Sequence, residues 1–405
     1  MDIKKEQKYL LDLISFYLFD EPFDILSYPE KDLHLPYLKR LIKEQKMDGL
    51  IFCALEKLHL KNDLYYSLKN RYMQLVIYST NQDNEYQQII QLLDNHHIQY
   101  VPLKGSFMKN YYPHHENRLM GDIDILIPYE KRKEVHQLLL ENGYSDAEDA
   151  QLSSHHEIFT HGAYGHFEIH FRLLDEECSA RDYLDKIVWD ETFNHQFTNE
   201  FNLVYQLAHY ANHFTHGGAS FKSFIDIALL LQKENMNEEK LYHLLKESKQ
   251  ISFYNHIAQL IEYIFPLKVL CFQKDLSNEQ LNQIIDFIFR CGDFGFGKDN
   301  DFNYQRILYD FSSKKKITKA SKLKYIILQV CIPYRKFKEI SKTIRYCPIL
   351  LPFGWLVRLI KYSFKYKGKV KEKLKNISKI SNKDIEKYQL IHHFLNEEGE
   401  INHEK

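Results

Sequence analysis

The spacing of apolar residues changes twice along the chain, and each change marks a different kind of structure. Residues 1–95 place apolar side chains at helical spacing, for example at Leu10 and Ile14, which predicts a helical segment. Between residues 98 and 173, short apolar runs alternate with polar residues as in β-strands. From Phe201 the helical spacing returns. We therefore predict an α+β protein whose small mixed β-sheet lies between N-terminal and C-terminal helical regions.

These changes divide the chain into four predicted segments. The first is a helical lobe, the second an α/β core, the third a helical domain and the fourth a basic helical arm. Their predicted bounds, in that order, are residues 1–95, 96–200, 201–310 and 311–405. With 405 residues the chain is long enough for more than one compact unit.

Two strand-like segments of the α/β core carry acidic residues on their polar faces. In residues 122–127, Asp122 and Asp124 alternate with three isoleucines, so both carboxylates point to the same side of a strand. Neighbouring like charges repel each other and Asp is a poor strand former, so a bound divalent cation would explain the pair. A solvated face on an edge strand is the alternative. In residues 165–173 the same alternation places Glu168 opposite a face of apolar residues.

The order of elements around these acidic strands favours the metal site. A short apolar run at residues 98–103 predicts a buried strand, and Gly105 and Ser106 end it before a helical turn. Residues 155–161 precede the Glu168 strand as the first arm of a predicted hairpin. The Gly-Ser turn and the third carboxylate together make the solvated edge strand the weaker interpretation.

At these residues the sequence resembles the polymerase-β-like nucleotidyltransferase superfamily. The resemblance is closest to a branch with an L-K-G...R-x-x-x-D-I-D-h-L-h pattern, in which h is an apolar residue. The residues that match this pattern are Leu103, Lys104, Gly105, Arg118 and Asp122–Ile127. The third carboxylate of the branch lies in an h-E/D-h-H strand, which Phe167–His170 matches. Ser106 lies further before the first Asp than in compact members of the superfamily.

The resemblance implies a metal-dependent nucleotidyltransferase that moves an NMP group from an NTP, with ATP as the expected donor, to an acceptor hydroxyl. The acceptor class stays open between small molecules, RNA and protein, because the carboxylates do not distinguish them. Asp122, Asp124 and Glu168 are the implied catalytic residues and ligands of Mg²⁺ or Mn²⁺, which prefer oxygen ligands. Two such ions about 3.5–4 Å apart activate the acceptor and neutralise the triphosphate.

Four further residues are candidates for binding the nucleotide. The backbone amides of Gly105 and Ser106, at the start of a helical turn, are expected to bind the terminal phosphates. Lys104 and Arg118 are expected to neutralise phosphate charge, with a surface ion pair as the alternative for each. No Walker loop, kinase motif or G-x-S-x-G elbow in the sequence competes with this interpretation.

The third segment contributes candidate residues of its own. His209 and His213 lie four residues apart on one helix face, a spacing that can chelate a metal ion. Histidines of a helix surface or interface are the better interpretation, because no Glu or Cys completes a ligand set. The related branch also carries a D-h-A helix here, matched by Asp226–Ala228, which implies that this domain closes over the active site.

Charge is distributed unevenly along a nearly neutral chain. The formal net charge is −1, yet residues 314–379 hold 20 Lys or Arg and only two acidic residues, Glu339 and Glu372. Such a basic arm favours a polyanionic partner, either nucleic acid or an anionic membrane surface. A solvated face of a helical domain is the alternative. The apolar run at residues 349–357 is too short and too broken by Pro and Gly to span a bilayer.

The cysteines and the N-terminus bear on the cellular compartment. The six cysteines include no C-x-x-C pair, which argues against a zinc ribbon or a disulfide framework and favours a reducing environment. The N-terminal residues predict a helix and lack the small-residue cleavage site of a signal peptide. We therefore expect a cytoplasmic protein.

Two functions from other classes compete with the enzyme. The first is a catalytically silent nucleotidyltransferase fold that binds nucleic acid or membrane through its basic arm. An intact acidic triad argues against it, because a site without catalytic activity would not require three carboxylates close together. The second is an interaction scaffold built mainly of helices. Metal-dependent nucleotide binding excludes the scaffold, and turnover distinguishes the enzyme from the silent module.

Overall fold

The computed structural model describes most of the chain. In the N-terminal part it describes residues 3–147, 155–176, 178–216 and 219–292. Further along it describes residues 307, 311, 318–332, 334, 337, 344, 346–365, 375, 377–378 and 380–395. The chain divides into two compact units, one comprising residues 1–214, 218–299 and 394–397 and the other residues 215–217, 300–393 and 398–405. The four-segment division is finer than this and stays a prediction.

Five short strands form one mixed sheet in the first unit. The strands β1 to β5 are Val101–Pro102, Ile123–Leu126, Ser145–Asp146, His156–His161 and Gly165–His170. Their order across the sheet is β1-β2-β5-β4-β3, with β2 and β5 parallel and the other neighbours antiparallel. The predicted α+β class with a small mixed sheet is confirmed, as is the hairpin of β4 and β5. A separate two-stranded ribbon consists of β6 (Thr192–Phe193) and β7 (Gln196–Phe197).

Two strands are shorter than the sequence pattern predicts. The run at residues 98–103 forms only the two-residue strand β1, because Lys104 already begins a helix. Strand β2 begins at Ile123, so Asp122 lies just before the strand and not within it. The chain bends at Gly121 and Asp122. Alternation predicts which way side chains face, but it does not locate the residue at which strand pairing starts.

Residues 3–292 are otherwise mainly helical where they are described. Helices α1 to α6 are Lys5–Phe19, Leu35–Glu44, Asp48–Lys57, Asp63–Asn95, Lys104–Met108 and Arg132–Glu141. Helices α7 to α12 are Arg181–Ile187, Asn199–His216, Phe221–Lys233, Glu238–Glu247, Ile251–Ile264 and Asn278–Cys291. Helix α4 is continuous over 33 residues and begins after Asn62, whose side chain accepts a hydrogen bond from the Tyr65 amide.

The isoleucines of β2 bury one face of the sheet. Ile123 and Ile125 are fully buried in an apolar cluster that also draws on α4, α6, β4 and β5. Its members from those elements include Ile89, Leu93, Val135, Leu139, Phe159, Phe167 and Ile169. Because strand side chains alternate, the polar residues of β2 and β5 face the other side of the sheet. This core therefore fixes the direction in which the carboxylates point.

The C-terminal part contains three described helices. They are α13 (Lys319–Val330), α14 (Leu351–Lys365) and α15 (Asn382–Leu395). The Trp355 indole N–H of α14 donates to the Ile332 carbonyl at 2.9 Å. Within the described residues, no helix combines the length and the apolarity that a membrane span requires.

Candidate active site

The parallel pairing of β2 and β5 places two of the expected carboxylates side by side. In this register Asp124 lies opposite Glu168, while the buried Ile125 lies opposite Ile169. Both carboxylates therefore leave the sheet on the face away from the core. Asp122, just before β2, lines the same pocket as these two residues. The structure thus brings together the three carboxylates that the sequence singles out.

A lysine ammonium lies between two of these carboxylates. Lys104 Nζ donates to Asp124 Oδ1 at 2.7 Å and to Glu168 Oε2 at 3.4 Å. Burial alone would lower the pKa of Lys104, but the two carboxylates outweigh it and raise that pKa well above its usual value. Burial alone would raise the pKa of Glu168, but Lys104 and His170 hold it well below its usual value. Both groups are therefore charged at neutral pH.

The backbone of Lys104 adopts a conformation that is uncommon for a residue with a side chain. Its φ angle is 48°, in the left-handed region. Lys104 is the first residue of α5 and follows β1 after one intervening residue, so the turn is made without a glycine at this position. Such strain persists where the surrounding structure fixes the conformation, and it is frequent at functional sites.

His170 is buried beside the carboxylates. Its Nε2 lies 3.1 Å from Asp124 Oδ1 and 3.3 Å from Glu168 Oε2, and its side chain is 1 % exposed. Burial and the charge of Lys104 lower the pKa of His170, but its bonds to the two carboxylates raise it above the usual value. Its Nδ1 has no hydrogen-bond partner among the described residues. On β4, burial is the main reason that the pKa of His156 is lowered to about 4.

Asp122 differs from the other two carboxylates in its surroundings. Its side chain is 38 % exposed, and His166 Nδ1 lies 2.6 Å from its Oδ1. The pKa of Asp122 is raised by partial burial and by the charges of Glu168 and Asp124, which outweigh the effect of His166. Asp122 is therefore less well compensated than Glu168.

The Gly105–Ser106 turn is bonded to neighbouring backbone. The Ser106 amide donates to the Leu103 carbonyl at 3.0 Å, and the Ser106 hydroxyl accepts a hydrogen bond from the Asp124 amide at 3.0 Å. A Cβ at Gly105 would lie 2.8 Å from the Met120 side chain, so glycine permits close packing here. The expected phosphate contacts of this turn stay a prediction, and this geometry does not favour them.

Arg118 is engaged in a buried ion pair. Its Nε donates to Asp226 Oδ1 at 2.8 Å and its Nη2 donates to Asp226 Oδ2 at 2.6 Å. The two side chains are 7 % and 2 % exposed. The Tyr112 hydroxyl donates to the same carboxylate at 2.9 Å. Because Asp226 belongs to α9, the pair ties the segment before β2 to the helical side of the pocket.

Two walls enclose the pocket: a sheet wall formed by α5, β2 and β5, and a helical wall formed by α8 and α9. The residues of the helical wall that line the pocket beside Asp226 are Gln206, His209, His213, Ser220, Lys222 and Ser223. Sequence reasoning singles out the histidines but misses Gln206, Lys222 and both serines. Positions 206, 209 and 213 share one face of α8, which is the signal that could have identified Gln206.

His209 and His213 contact each other within the helical wall. Their Nε2 atoms are 2.9 Å apart and their rings are nearly perpendicular. Burial, and then the neighbouring His213, hold the pKa of His209 well below its usual value. His209 is therefore neutral at physiological pH. Among the described residues, no carboxylate or cysteine completes a metal-ligand group with this pair.

The pocket between the two walls is small and adjoins a larger cleft. The pocket has a volume of about 120 Å³ and the cleft one of about 530 Å³. Met120 and Gly121 line both. The cleft is also lined by Tyr78 and Tyr164, whose ring centroids are 5.8 Å apart, and by Arg71. The pocket and the cleft therefore meet at Met120 and Gly121.

The carboxylates form a donor set that fits a divalent cation. The ligand atoms of Asp124, Glu168 and His170 all lie within 4.8 Å of one another. Asp122 lines the same pocket, and carboxylate oxygens are preferred ligands of Mg²⁺ and Mn²⁺. The ammonium of Lys104, bonded to two of these carboxylates, shows that the position favours positive charge.

Comparison with known proteins agrees with this geometry. A family model described as an uncharacterised nucleotidyltransferase matches residues 32–266, more than half of the chain. The matched range contains the three carboxylates, Lys104 and the lining residues of the helical wall. No curated protein and no solved structure matches the chain.

Proposed function

Because the chain belongs to the family of uncharacterised nucleotidyltransferases, we propose that it transfers an NMP group from an NTP, with ATP as the donor, to an acceptor hydroxyl. The observation that carries the proposal is the in-register pairing of Asp124 with Glu168, with Asp122 in the same pocket. In this reaction the acceptor oxygen forms a bond to the α-phosphorus and loses its proton. Pyrophosphate leaves with the electron pair of the broken P–O bond. The mechanism we propose is that of the polymerase-β-like superfamily.

We propose Asp122, Asp124 and Glu168 as the ligands of Mg²⁺ or Mn²⁺. When bound, such ions lower the pKa of the acceptor hydroxyl and neutralise charge on the phosphates. The low pKa of Glu168 keeps this carboxylate ionised at neutral pH and makes it a weak base. Both effects suit a metal ligand, whereas a weak base is a poor proton acceptor. His170, within 3.3 Å of two of the carboxylates, holds them in position.

Lys104 is the proposed cation for the donor phosphates. Its ammonium already lies in the pocket, 2.7 Å from Asp124, so a rotation of its flexible side chain suffices to reach a phosphate oxygen there. Before substrate binds, its ion pairs hold two like charges together. Arg118 is proposed to position α9 through Asp226, because its guanidinium is already engaged there.

The acceptor is proposed to approach through the larger cleft. The carboxylate pocket of about 120 Å³ is too small for a nucleotide and an acceptor together. The adjoining cleft of about 530 Å³ offers the rings of Tyr78 and Tyr164 and the guanidinium of Arg71. These groups suit a ligand that combines a ring with a negative charge.

Labelled donors test the proposed function. The purified protein is incubated with each NTP labelled at the α-phosphate, with Mg²⁺ or Mn²⁺, and with a cell extract as the acceptor source. We expect metal-dependent transfer of label that is lost in Asp124→Asn. Metal-dependent NTP binding without transfer would favour the catalytically silent module. A protein that neither binds nor transfers any NTP would contradict both.

A second proposal concerns the partner of the basic arm. Helix α14 exposes apolar side chains that are between 46 % and 63 % accessible, namely Phe353, Leu356, Val357, Leu359 and Ile360. In the sequence, residues 314–379, which include α14, contain 20 basic and two acidic residues. Apolar side chains among lysines and arginines suit the interface of an anionic membrane, whereas binding to nucleic acid depends mainly on charge. We therefore propose a membrane surface as the partner of α14.

Substitution of apolar residues separates lipid from nucleic acid. Leu356→Ser with Ile360→Ser is expected to weaken binding to vesicles containing phosphatidylserine and to leave binding to tRNA unchanged, as measured by co-sedimentation and gel shift. Tyr242→Ser, at an exposed position of α10, is the matched control and should change neither. Vesicle binding that survives the double substitution would contradict the membrane proposal.

A further inference from the structure

The start of helix α9 forms a polar end of the carboxylate pocket to which the proposed function assigns no role. Ser220, Lys222 and Ser223 line the pocket from α9, and Gln206 lines it from α8. The proposed metal ligands line the same pocket from the sheet wall. A ligand bound at the carboxylates therefore lies within reach of these groups.

The side chain of Gln206 is the first indication of a ligand-binding site. This side chain is 5 % exposed, and its Nε2 has no hydrogen-bond partner among the described residues. Buried polar groups in native proteins are nearly always hydrogen-bonded, so an unpaired one calls for an explanation. An amide nitrogen can only donate. The group that completes this site must therefore bring an acceptor atom.

The end of α9 supplies the second sign. This 13-residue helix is preceded by Ser220, whose backbone is extended but whose side chain forms no capping hydrogen bond. The first helical amide, that of Phe221, donates to Gln45 Oε1 at 3.0 Å. The following residues are Lys222 and Ser223, which both line the pocket. The helix dipole and a lysine together favour an anion here.

The alternative place for phosphate, the start of α5, is poorly suited to it. Helix α5 has only five residues. The Ser106 amide is bonded to the Leu103 carbonyl, and the Ser106 hydroxyl already accepts from the Asp124 amide. Of the two amides that the sequence pattern assigns to phosphate, that of Ser106 thus serves the backbone. Helix α9 is longer than α5 and its start is polar. The Arg118–Asp226 ion pair also joins α9 to the sheet wall.

We propose that Gln206, Ser220, Lys222 and Ser223 bind the pyrophosphate portion of the nucleoside triphosphate. This subsite rests on the proposed function. In the transfer reaction the α-phosphorus lies at the carboxylates, and the leaving pyrophosphate lies towards the start of α9. The acceptor oxygen attacks from the side opposite the leaving group. Asp226, one turn into α9, is a positioning residue that fixes the subsite relative to the carboxylates.

Binding of inorganic pyrophosphate in the presence of Mg²⁺, measured by titration calorimetry, tests the subsite without turnover. The result does not depend on which nucleobase the NTP carries. Gln206→Leu is expected to weaken this binding at least about tenfold, as for one hydrogen bond to a charged group. Ser223→Glu places a carboxylate where the helix dipole favours one, so the fold is retained while phosphate is repelled. We expect a loss at least as large. Gln232→Leu, at the exposed end of the same helix, is the matched control and should bind as the wild type does.

Two further measurements separate this inference from the proposed function. Thermal unfolding should show Gln206→Leu as stable as the wild type, because an unpaired amide is removed. Binding of Mg²⁺ alone should be unchanged in Gln206→Leu, because the carboxylates are intact. Unchanged pyrophosphate binding in the variants, or none in the wild type, overturns the subsite. Transfer of label from an NTP is judged separately, so it can succeed even if this subsite is wrong.

Discussion

The two walls of the pocket differ in how their charged and polar side chains are compensated. In the sheet wall, Lys104 and His170 neutralise neighbouring carboxylates, and the pKa of His170 is raised above its usual value. In the helical wall, His209 faces a second histidine and its pKa is lowered by burial and by that neighbour. Gln206 Nε2 has no partner among the described residues. The sheet wall compensates its own charges, whereas the helical wall presents donors that a negatively charged ligand would satisfy.

The largest effect is expected from Asp124→Asn, which removes a proposed metal ligand from the sheet wall. We expect transfer of labelled NMP to fall at least about 1000-fold, equivalent to about 4 kcal/mol of transition-state stabilisation. Gln206→Leu is the counterpart in the helical wall, and we expect it chiefly to raise KM for the NTP. Equal losses of kcat in the two variants would remove the distinction between the walls.

The sheet wall was accessible to sequence reasoning because its information is local. A period of two reports which side chains share a face, and Asp124 and Glu168 each alternate with buried apolar residues. In the structure, β2 and β5 pair in parallel with Asp124 opposite Glu168. The pattern does not locate the residue at which strand pairing starts. In the structure β2 starts at Ile123, so Asp122 lies just before the strand.

The helical wall was much less accessible because its contacts join distant parts of the chain. Arg118 and Asp226 are 108 residues apart, and no local spacing indicates that their side chains meet. The same holds for Gln45, which binds the first amide of α9 from 176 residues away.

The Ser106 hydroxyl illustrates a further limit of sequence reasoning. A Gly-Ser turn suggests a phosphate site, while in the structure the hydroxyl accepts a hydrogen bond from the Asp124 amide. Residue types alone did not decide between ligand and backbone.

The next largest effect is expected where the two walls are joined. Asp226→Asn leaves the guanidinium of Arg118 buried without its counter-charge, and we expect unfolding in urea to show a loss of about 3 kcal/mol. Asp32→Asn is the matched control, since its ion pair with Lys5 is exposed and its loss should change stability by less than about 1 kcal/mol. A similar small loss for Asp226→Asn would mean that the walls do not depend on this pair.

Acid pH should separate the histidines of the two walls. His209 is neutral in the folded protein because its pKa is held low, whereas the unfolded chain binds this proton below about pH 6.5. Its contribution therefore destabilises the fold as pH falls below about 6.5, by at most about 1.4 kcal/mol per pH unit. In His209→Gln, the urea concentration at the midpoint of unfolding should therefore decline less steeply as the pH falls.

His170 should act in the opposite direction. Its raised pKa gives stability that is fully present below about pH 6.5 and is lost as pH rises through the folded pKa. His170→Gln should therefore remove a gain in stability that the wild type shows as the pH falls from the folded pKa to about 6.5, and should leave the slope below about pH 6.5 unchanged. Two variants with the same pH profile would show that the walls do not differ in this respect.

The smallest effect is expected at Asp122, and it tests whether charge compensation varies within the sheet wall itself. The pKa of Asp122 is raised by partial burial, Glu168 and Asp124, so its ionised form costs the folded protein stability above the unfolded pKa. Asp122→Asn should therefore be as stable as the wild type or slightly more stable at neutral pH, with the difference vanishing in acid. Asp124→Asn should be less stable, because Lys104 and His170 lose a partner. Urea unfolding of both variants at neutral and acid pH makes the comparison, and a greater loss for Asp122→Asn would contradict it.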